Sequence, residues 1–240
     1  MRRLWAMLLL IRDFHLMFSG RNHMFHAIAM YMSMTIAIFL VFTYAPTDKM
    51  QGIVQKIFYF HVSSAITMFF AFFVVLVASI MYLWKSSDWW DAVALSAAEI
   101  GVVFCTLVLI TGPIWGRPIW GTWWSWDPTL TLTLVLWLIY VAYLMLRIDA
   151  HDPKRARFAA ILGIVGFVDV PLIRWSVEKW RTLHPKPVGI ESSAMLLTFV
   201  VCLGAFLLLF FYLLRERTSI AQSRHSLEVL RQEIDDLLTR

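Results

Sequence analysis

Five tryptophans lie close together between positions 115 and 126, in a segment that reads WGRPIWGTWWSWD. They are Trp115, Trp120, Trp123, Trp124 and Trp126. An indole ring has a large apolar face and one N–H donor, and two glycines in the segment let the backbone bend and approach a ligand closely. We therefore expect a platform for a flat, conjugated and partly polar ligand, and haem fits that description.

A belt of aromatic residues at the lipid–water boundary is the alternative explanation for tryptophans in an apolar chain. Such a belt needs only scattered side chains near helix ends, without fixed spacing in one loop. We assign to it five tryptophans outside the segment, Trp84, Trp89, Trp90, Trp137 and Trp175. The clustering of the other five favours ligand binding.

Two of the seven histidines can reach the level of these tryptophans. His61 lies just inside a charge-free hydrophobic run, and His184 lies in a later polar loop before two prolines. Histidine nitrogen is a common axial ligand of haem iron. A single histidine in such a run is more often a hydrogen-bonding residue of the helix bundle, but the pair, with an aromatic wall between them, predicts two axial ligands. The remaining five lie near the opposite ends of the hydrophobic runs.

Three charged residues complete the predicted site. Asp127 ends the tryptophan segment just before Pro128, where it can cap a helix, accept an indole N–H or bind a partner. Arg174 and Arg181 belong to a loop with an excess of cations, which suits anionic groups such as the haem propionates. The alternative for both arginines is a solvated loop that contacts lipid phosphates.

Six hydrophobic runs have the length of a transmembrane helix, roughly 20 apolar residues. They cover about residues 27–45, 57–83, 92–112, 129–146, 158–173 and 191–214. With 60% hydrophobic and 15% charged residues, the chain is predicted to be an all-α integral membrane protein. We expect one membrane domain over residues 1–214, including an N-terminal segment over 1–26, and an amphipathic tail over 215–240.

The distribution of lysine and arginine predicts the orientation of the spans. Both termini and the loops near Lys85 and Lys154 share one side, which holds fourteen of the twenty-one basic residues and is therefore cytoplasmic. The tryptophan loop, between the third and fourth spans, then faces the periplasm. The basic residues lie next to the membrane, so the composition does not indicate nucleic acid.

Four further residues inside the predicted spans receive a structural interpretation. Cys105 and Cys202 are not in a C-x-x-C arrangement, so we interpret them as small core residues. Glu99 and Asp169 are acids within spans, where a partner is expected because an isolated charge is costly. Arg174 is the candidate partner of Asp169.

The segment WGRPIWGTWWSWDPTLT resembles the WWD motif of the cytochrome c maturation protein C family, also called haem exporter protein C. Tyr59-Phe60-His61-Val62 and the stretch from Ser176 to His184 are similar to the same family, and together these regions span the middle two-thirds of the chain. Family members usually carry arginine two residues after the motif aspartate. Here that position is Thr129.

The resemblance implies a function as well as a fold. His61 and His184 would be the axial ligands of transiently bound haem b, which is passed to a periplasmic haem chaperone of the maturation protein E type. The partners implied are two ABC transporter subunits, maturation proteins A and B, and a small single-span subunit, maturation protein D. The location implied is the bacterial inner membrane.

Two other classes of function stay open at this point. An intramembrane redox cytochrome would hold haem permanently between histidines of facing spans, and a structural subunit of a transporter would use the tryptophans to bind lipid or protein. A system II cytochrome c synthetase would need additional spans and a large outward domain. The sequence contains no P-loop, so we expect a haem-handling protein rather than an enzyme with a nucleotide or hydrolase site.

Overall fold

The computed structural model describes residues 20–148, 153–184, 190 and 192–238. Within those residues the fold is helical, without a β-strand. The α-helices are α1 (Gly20–Phe39), α2 (Ile57–Lys85), α3 (Asp88–Trp120), α4 (Pro128–Leu146), α5 (Pro153–Phe167), α6 (Asp169–Lys179) and α7 (Ser193–Leu238). A π-helical turn, Leu40–Tyr44, extends α1, and a 3-10 turn, Ile53–Lys56, precedes α2.

These helices form six segments that are long and apolar enough to cross a membrane, which confirms the predicted six-span architecture. Helices α5 and α6 together make the fifth segment, and a turn at Val168 separates them. The break suits the sequence, because the polar side chain of Asp169 and the ring of Pro171 follow it directly. The orientation of the six spans remains a prediction.

Helix α3 extends further than the sequence predicts. We expected the third span to end near residue 112, but the helix includes Pro113 and Pro118 and ends at Trp120. Gly121 stops it in the left-handed conformation, with a φ of 76°, and its N–H donates to the carbonyl of Arg117. The tryptophan segment does join the third and fourth spans, but the expectation of a loop throughout was wrong for its first half.

The core lies between α2, α3 and the later helices. Small residues on α3 allow close packing: a Cβ atom at Gly101 would lie 2.6 Å from the ring of Phe72 on α2. That ring stacks on Tyr140 of α4, with centroids 3.8 Å apart and planes 14° apart. Cys105 and Cys202 are free and buried, as expected of core residues.

The intramembrane acids differ in their surroundings. Glu99 forms an ion pair with Arg217, which joins α3 to α7. Asp169 is buried, and Arg174 pairs with Glu178 rather than with it. The suggested Asp169–Arg174 pair was therefore wrong, because an i,i+4 partner on the same helix holds the arginine.

One other expectation, the assignment of Trp137 to an aromatic belt, was wrong. Trp137 lies in the middle of α4 and donates its indole N–H to Thr106 on α3, so it belongs to the bundle and not to an aromatic belt. Helix α7 continues past residue 214 to Leu238 without a break. At 1.5 Å per residue its 46 residues measure about 69 Å, roughly twice the hydrocarbon thickness of a bilayer. A separate tail domain over 215–240 remains a prediction.

Candidate functional site

A cavity of about 470 Å³ lies where α2, the end of α3, the start of α4 and α6 come together. Most of its lining is apolar, and its volume is in the range of roughly 300–1,000 Å³ that is usual for small-molecule and cofactor sites. Seven aromatic or histidine side chains contribute to the wall: His61, Phe69, Trp115, Trp120, Trp123, Trp124 and His184. Arg174 and Thr129 also line it.

The cavity brings together seven of the ten predicted site residues. The four tryptophans at 115, 120, 123 and 124, both histidines and Arg174 line it. Trp126, Asp127 and Arg181 are not among the lining residues. The spacing of the tryptophans explains part of this result: α3 projects Trp115 and Trp120 into one wall, and the irregular segment after Gly121 carries the others.

His61 is held on one side by a single turn of α3. Its Nδ1 lies 2.8 Å from the hydroxyl oxygen of Thr111. A Cβ atom at Gly112 would lie 3.4 Å from Cε1 of the ring, and the ring of Trp115 meets the imidazole edge to face, with centroids 5.6 Å apart. The histidine is only 7% exposed, so these contacts fix its ring within the cavity wall.

Trp115 and Trp120 form the rigid part of the aromatic wall. The indole N–H of Trp115 donates to the side-chain carbonyl of Gln51, 3.0 Å away, and its ring contacts Phe58. Trp120 lies over the backbone of Gly116, where a Cβ atom would come within 2.7 Å of its ring. Gly116 is therefore required for this packing.

The tryptophans after Gly121 are more open. Trp123 is 60% exposed and Trp126 is 75% exposed. Trp124 lies between the cavity and Trp126, with the two rings edge to face and centroids 5.6 Å apart. One side of the aromatic wall thus belongs to the packed bundle, and the other side reaches the surface.

Asp127 joins two connecting segments of the chain. Its carboxylate accepts hydrogen bonds from the backbone N–H groups of Thr129 and Leu130, which confirms that it caps α4. It also accepts from the hydroxyls of Ser125 and Thr182, at 2.7 Å and 2.8 Å. Burial opposes ionisation, but these hydrogen bonds outweigh it and hold the pKa of Asp127 below its ordinary value.

Thr182 connects Asp127 to His184. Its hydroxyl donates to the carboxylate of Asp127 and accepts the backbone N–H of His184 at 3.1 Å. A second contact between the same regions is buried: the hydroxyls of Thr129 and Ser176 lie 2.8 Å apart. The predicted axial ligand in the loop is therefore fixed to the start of α4 through side chains.

The two candidate arginines have different positions. Arg174 lines the cavity, and its guanidinium lies 2.7 Å from the carboxylate of Glu178. Arg181 is exposed and does not line the cavity. Only Arg174 is placed to meet an anionic group of a ligand inside.

Several residues of the site were missed by sequence reasoning. They are Gln51, Thr111, Gly112 and Thr182, whose residue types are common. Thr111 and Gln51 each act through a contact with a residue 50 or more positions away. Thr182 carried one usable sign, because it lies within the stretch that resembles the family. Nothing in the local pattern identifies Gln51 or Thr111.

The residues of the cavity fit haem as a ligand. Two imidazoles can supply axial nitrogens, indole rings and aliphatic side chains can cover the macrocycle, and one cation can meet a propionate. Among the described residues, no group of three or more histidine, cysteine or acidic side chains is arranged to hold a bare metal ion.

Comparison with known proteins identifies relatives along most of the chain. A family model described as Heme exporter protein C matches residues 9–232. Heme exporter protein C of Bradyrhizobium diazoefficiens is 38% identical over 201 residues, which are 80% of this chain and 73% of the relative. Heme exporter protein C of Escherichia coli (strain K12) is 38% identical over 169 residues, 70% of this chain and 69% of the relative. A Marchantia polymorpha protein described as cytochrome c biosynthesis ccmC-like and mitochondrial is 31% identical over 179 residues, 74% and 76% of the two chains.

Proposed function

The chain belongs to the haem exporter protein C family, whose members handle haem in cytochrome c maturation, and we propose that it binds haem b transiently between His61 and His184. The observation that carries this proposal is that both histidines line one cavity together with Trp115, Trp120, Trp123 and Trp124. The bound haem is cargo, and it brings the iron and the reactive vinyl groups.

Each wall of the cavity has a separate task in this proposal. His61 supplies an axial nitrogen from the membrane-spanning helix α2, and His184 supplies one from the segment that follows α6. The indole rings of Trp115 and Trp120 cover the macrocycle and exclude water. Arg174 receives a propionate, because it is the cation among the described residues that line the cavity.

The open side of the cavity supports transfer rather than storage. Trp123 and Trp126 are more than half exposed, so an arriving protein can contact the wall of the site directly. We propose a periplasmic haem chaperone of the maturation protein E type as the acceptor. Asp127 positions the segment that carries His184, and Trp126 contributes to the surface that the chaperone contacts.

The proposed setting is the inner membrane, with the cavity facing the periplasm. Maturation proteins A and B would supply ATP-driven steps, and maturation protein D would be the small single-span partner. The chain itself is a handling component, which promotes attachment of haem to the chaperone by presenting it.

The test is the visible spectrum of detergent-purified protein produced together with the haem chaperone. We expect low-spin haem in the wild type, and its loss or conversion to a five-coordinate form in His61→Ala and His184→Ala. His26→Ala is the matched control, because His26 contacts Arg215 at the opposite end of the bundle. This control should keep the wild-type spectrum.

The platform is tested with a Trp120→Ala/Trp123→Ala variant, which should lower covalent haem loading of the chaperone. Trp175→Ala is its control, since Trp175 is 51% exposed and lies outside the cavity lining. Normal chaperone loading by a haem-free wild type would overturn the proposal in favour of a structural subunit. Haem that stays bound and cycles reversibly between oxidation states without transfer would favour a redox cytochrome.

A further inference from the structure

The hydroxyl of Thr111 lies between a backbone carbonyl and the imidazole of His61. Oγ1 of Thr111 lies 2.7 Å from the carbonyl oxygen of Leu107 and 2.8 Å from Nδ1 of His61. A carbonyl oxygen only accepts, so the single hydroxyl hydrogen points to Leu107. The oxygen of Thr111 therefore presents a lone pair to Nδ1, and this contact is favourable only when Nδ1 carries a hydrogen.

Thr106 shows the same arrangement with a donor whose proton is certain. Its hydroxyl lies 2.8 Å from the carbonyl of Val102 and 2.8 Å from Nε1 of Trp137. An indole nitrogen is a donor only, so the threonine oxygen accepts while its own hydrogen bonds back to the helix. Helix α3 thus carries two threonines that accept from rings of neighbouring helices.

We propose that Thr111 is a positioning residue for haem ligation, which holds His61 as the Nδ1–H tautomer and leaves Nε2 as the donor to iron. This inference rests on the proposed function, in which His61 is an axial ligand. Thr111 acts through the imidazole and needs no contact with haem. A hydrogen bond from the second ring nitrogen orients a ligating histidine and raises its basicity.

The surroundings of the ring make this hydrogen bond selective. A half turn of the imidazole about its Cβ–Cγ bond would exchange Nδ1 with Cδ2, and the bond to Thr111 would be lost. Burial and the edge-to-face contact with Trp115 keep the ring in the cavity wall, so the hydrogen bond to Thr111 selects between the two flipped orientations. The consequence is a single donor atom with a fixed direction in the cavity.

The experiment compares wild type with Thr111→Val, Thr111→Ser and Thr106→Val, each purified in detergent with haem bound. Haem retention, the electron paramagnetic resonance spectrum and the reduction potential are measured. Thr111→Val keeps the side-chain volume but removes the acceptor, so we expect haem retention to weaken about 10- to 100-fold, as for other outer partners of metal ligands. The reduction potential should rise, because a less basic imidazole stabilises ferric iron less.

Rescue and control variants separate this role from a general loss of packing. Thr111→Ser keeps the hydroxyl and should restore the wild-type potential. Thr106→Val removes the equivalent bond to Trp137 outside the cavity lining, so it should leave the potential unchanged even where it lowers the melting temperature. Thr111→Ala provides the same reading if the valine variant does not fold.

Two results would overturn the inference. One is a wild-type potential and wild-type retention in the variants that lack the hydroxyl. The other is an equal shift in Thr106→Val. If His61→Ala itself leaves the haem spectrum unchanged, the proposed function fails, and that outcome is distinguished from a failure of Thr111 alone.

Discussion

Arg174 and Arg181 differ in a way that only their positions reveal. Arg174 lines the cavity, but Glu178 holds its guanidinium in a half-exposed pair. An exposed pair of this kind contributes only about 0–1 kcal/mol. A propionate can therefore displace Glu178 at small cost.

This competition predicts that two substitutions have opposite effects on haem retention. Arg174→Ala should weaken haem retention several-fold, and Glu178→Gln should strengthen it, because the competing carboxylate is removed. Arg181→Ala is the comparison, and its effect should be the smaller one, since the side chain is exposed and lies outside the cavity lining. Equal losses from both arginine variants, measured by haem per protein after gel filtration, would contradict this reading.

Asp127 gives a prediction that depends on pH. Its pKa is lowered in the folded protein, so its carboxylate stabilises the fold above the unfolded pKa, and this contribution disappears as the pH falls through the folded pKa. At pH 7, Asp127→Asn should lower the free energy of unfolding by about 0.5–1.5 kcal/mol, since the amide nitrogen cannot accept the hydrogen bond from Ser125. The difference from wild type should shrink below about pH 4.

Melting curves in detergent between pH 7 and pH 3.5 measure this difference. Ser125→Ala removes one donor to the same carboxylate and serves as a partial version of the change. A difference between wild type and Asp127→Asn that grows as the pH falls would contradict the assigned ionisation.

At the scale of single helices, a substitution at Gly116 tests whether the packing at the end of α3 contributes to haem binding. A methyl group there would lie 2.7 Å from the ring of Trp120, so Gly116→Ala must displace that indole from the cavity wall. We expect several-fold weaker haem retention. Alanine favours the helical conformation over glycine by up to about 1 kcal/mol, which offsets the cost of displacing the ring. The melting temperature should therefore change little.

Gly204→Ala is the matched control for this substitution. Gly204 lies in α7, and a Cβ atom there would meet nothing within 4 Å. This variant should keep the haem of the wild type and gain slightly in stability. If the two alanine variants retain haem equally, the packing of Trp120 on Gly116 has no part in binding.

The helices show how far the sequence predicts the elements. Hydrophobic length was sufficient for all six spans, because it depends only on composition over about 20 residues. The end of α3 was not predictable in the same way: Pro113 and Pro118 suggest termination, yet neighbouring helices allow proline within a membrane helix. Gly121 was the true stop, and its left-handed conformation is visible only in the structure.

The candidate site follows the same division. Its aromatic and histidine side chains were predictable from residue type and clustering, and the cavity collects seven of the ten predicted residues. The hydrogen-bonding partners Thr111 and Gln51 were not, because each contacts a residue at least 50 positions away. Trp126 and Arg181 belong to the predicted cluster in sequence but lie outside the lining, because chain proximity does not fix the direction of a side chain.

At the scale of the whole molecule, the orientation in the membrane is the main prediction still to be tested. Both cysteines are buried, which provides a background suited to labelling of introduced thiols. Met50, at the cavity end, is 97% exposed, and Lys85, at the opposite end, is exposed as well. In intact cells whose outer membrane has been permeabilised, Met50→Cys should react with a membrane-impermeant maleimide.

Lys85→Cys should react only after the inner membrane has been disrupted. The unsubstituted protein is the control for reaction at Cys105 and Cys202. Labelling of Lys85→Cys but not Met50→Cys in intact inner membranes would reverse the orientation and place the cavity on the cytoplasmic side.

The two histidines are held by different kinds of structure, and this difference affects the rate of haem release. His61 is fixed within a packed helix, whereas His184 lies in a segment without regular secondary structure that is tied down through Thr182. In the proposed site the protein chelates the iron with one histidine on a helix and one on a non-helical segment, so each donor raises the effective concentration of the other. An incoming donor then needs to replace only His184 first. The affinity for haem can therefore be high without making the release of haem slow.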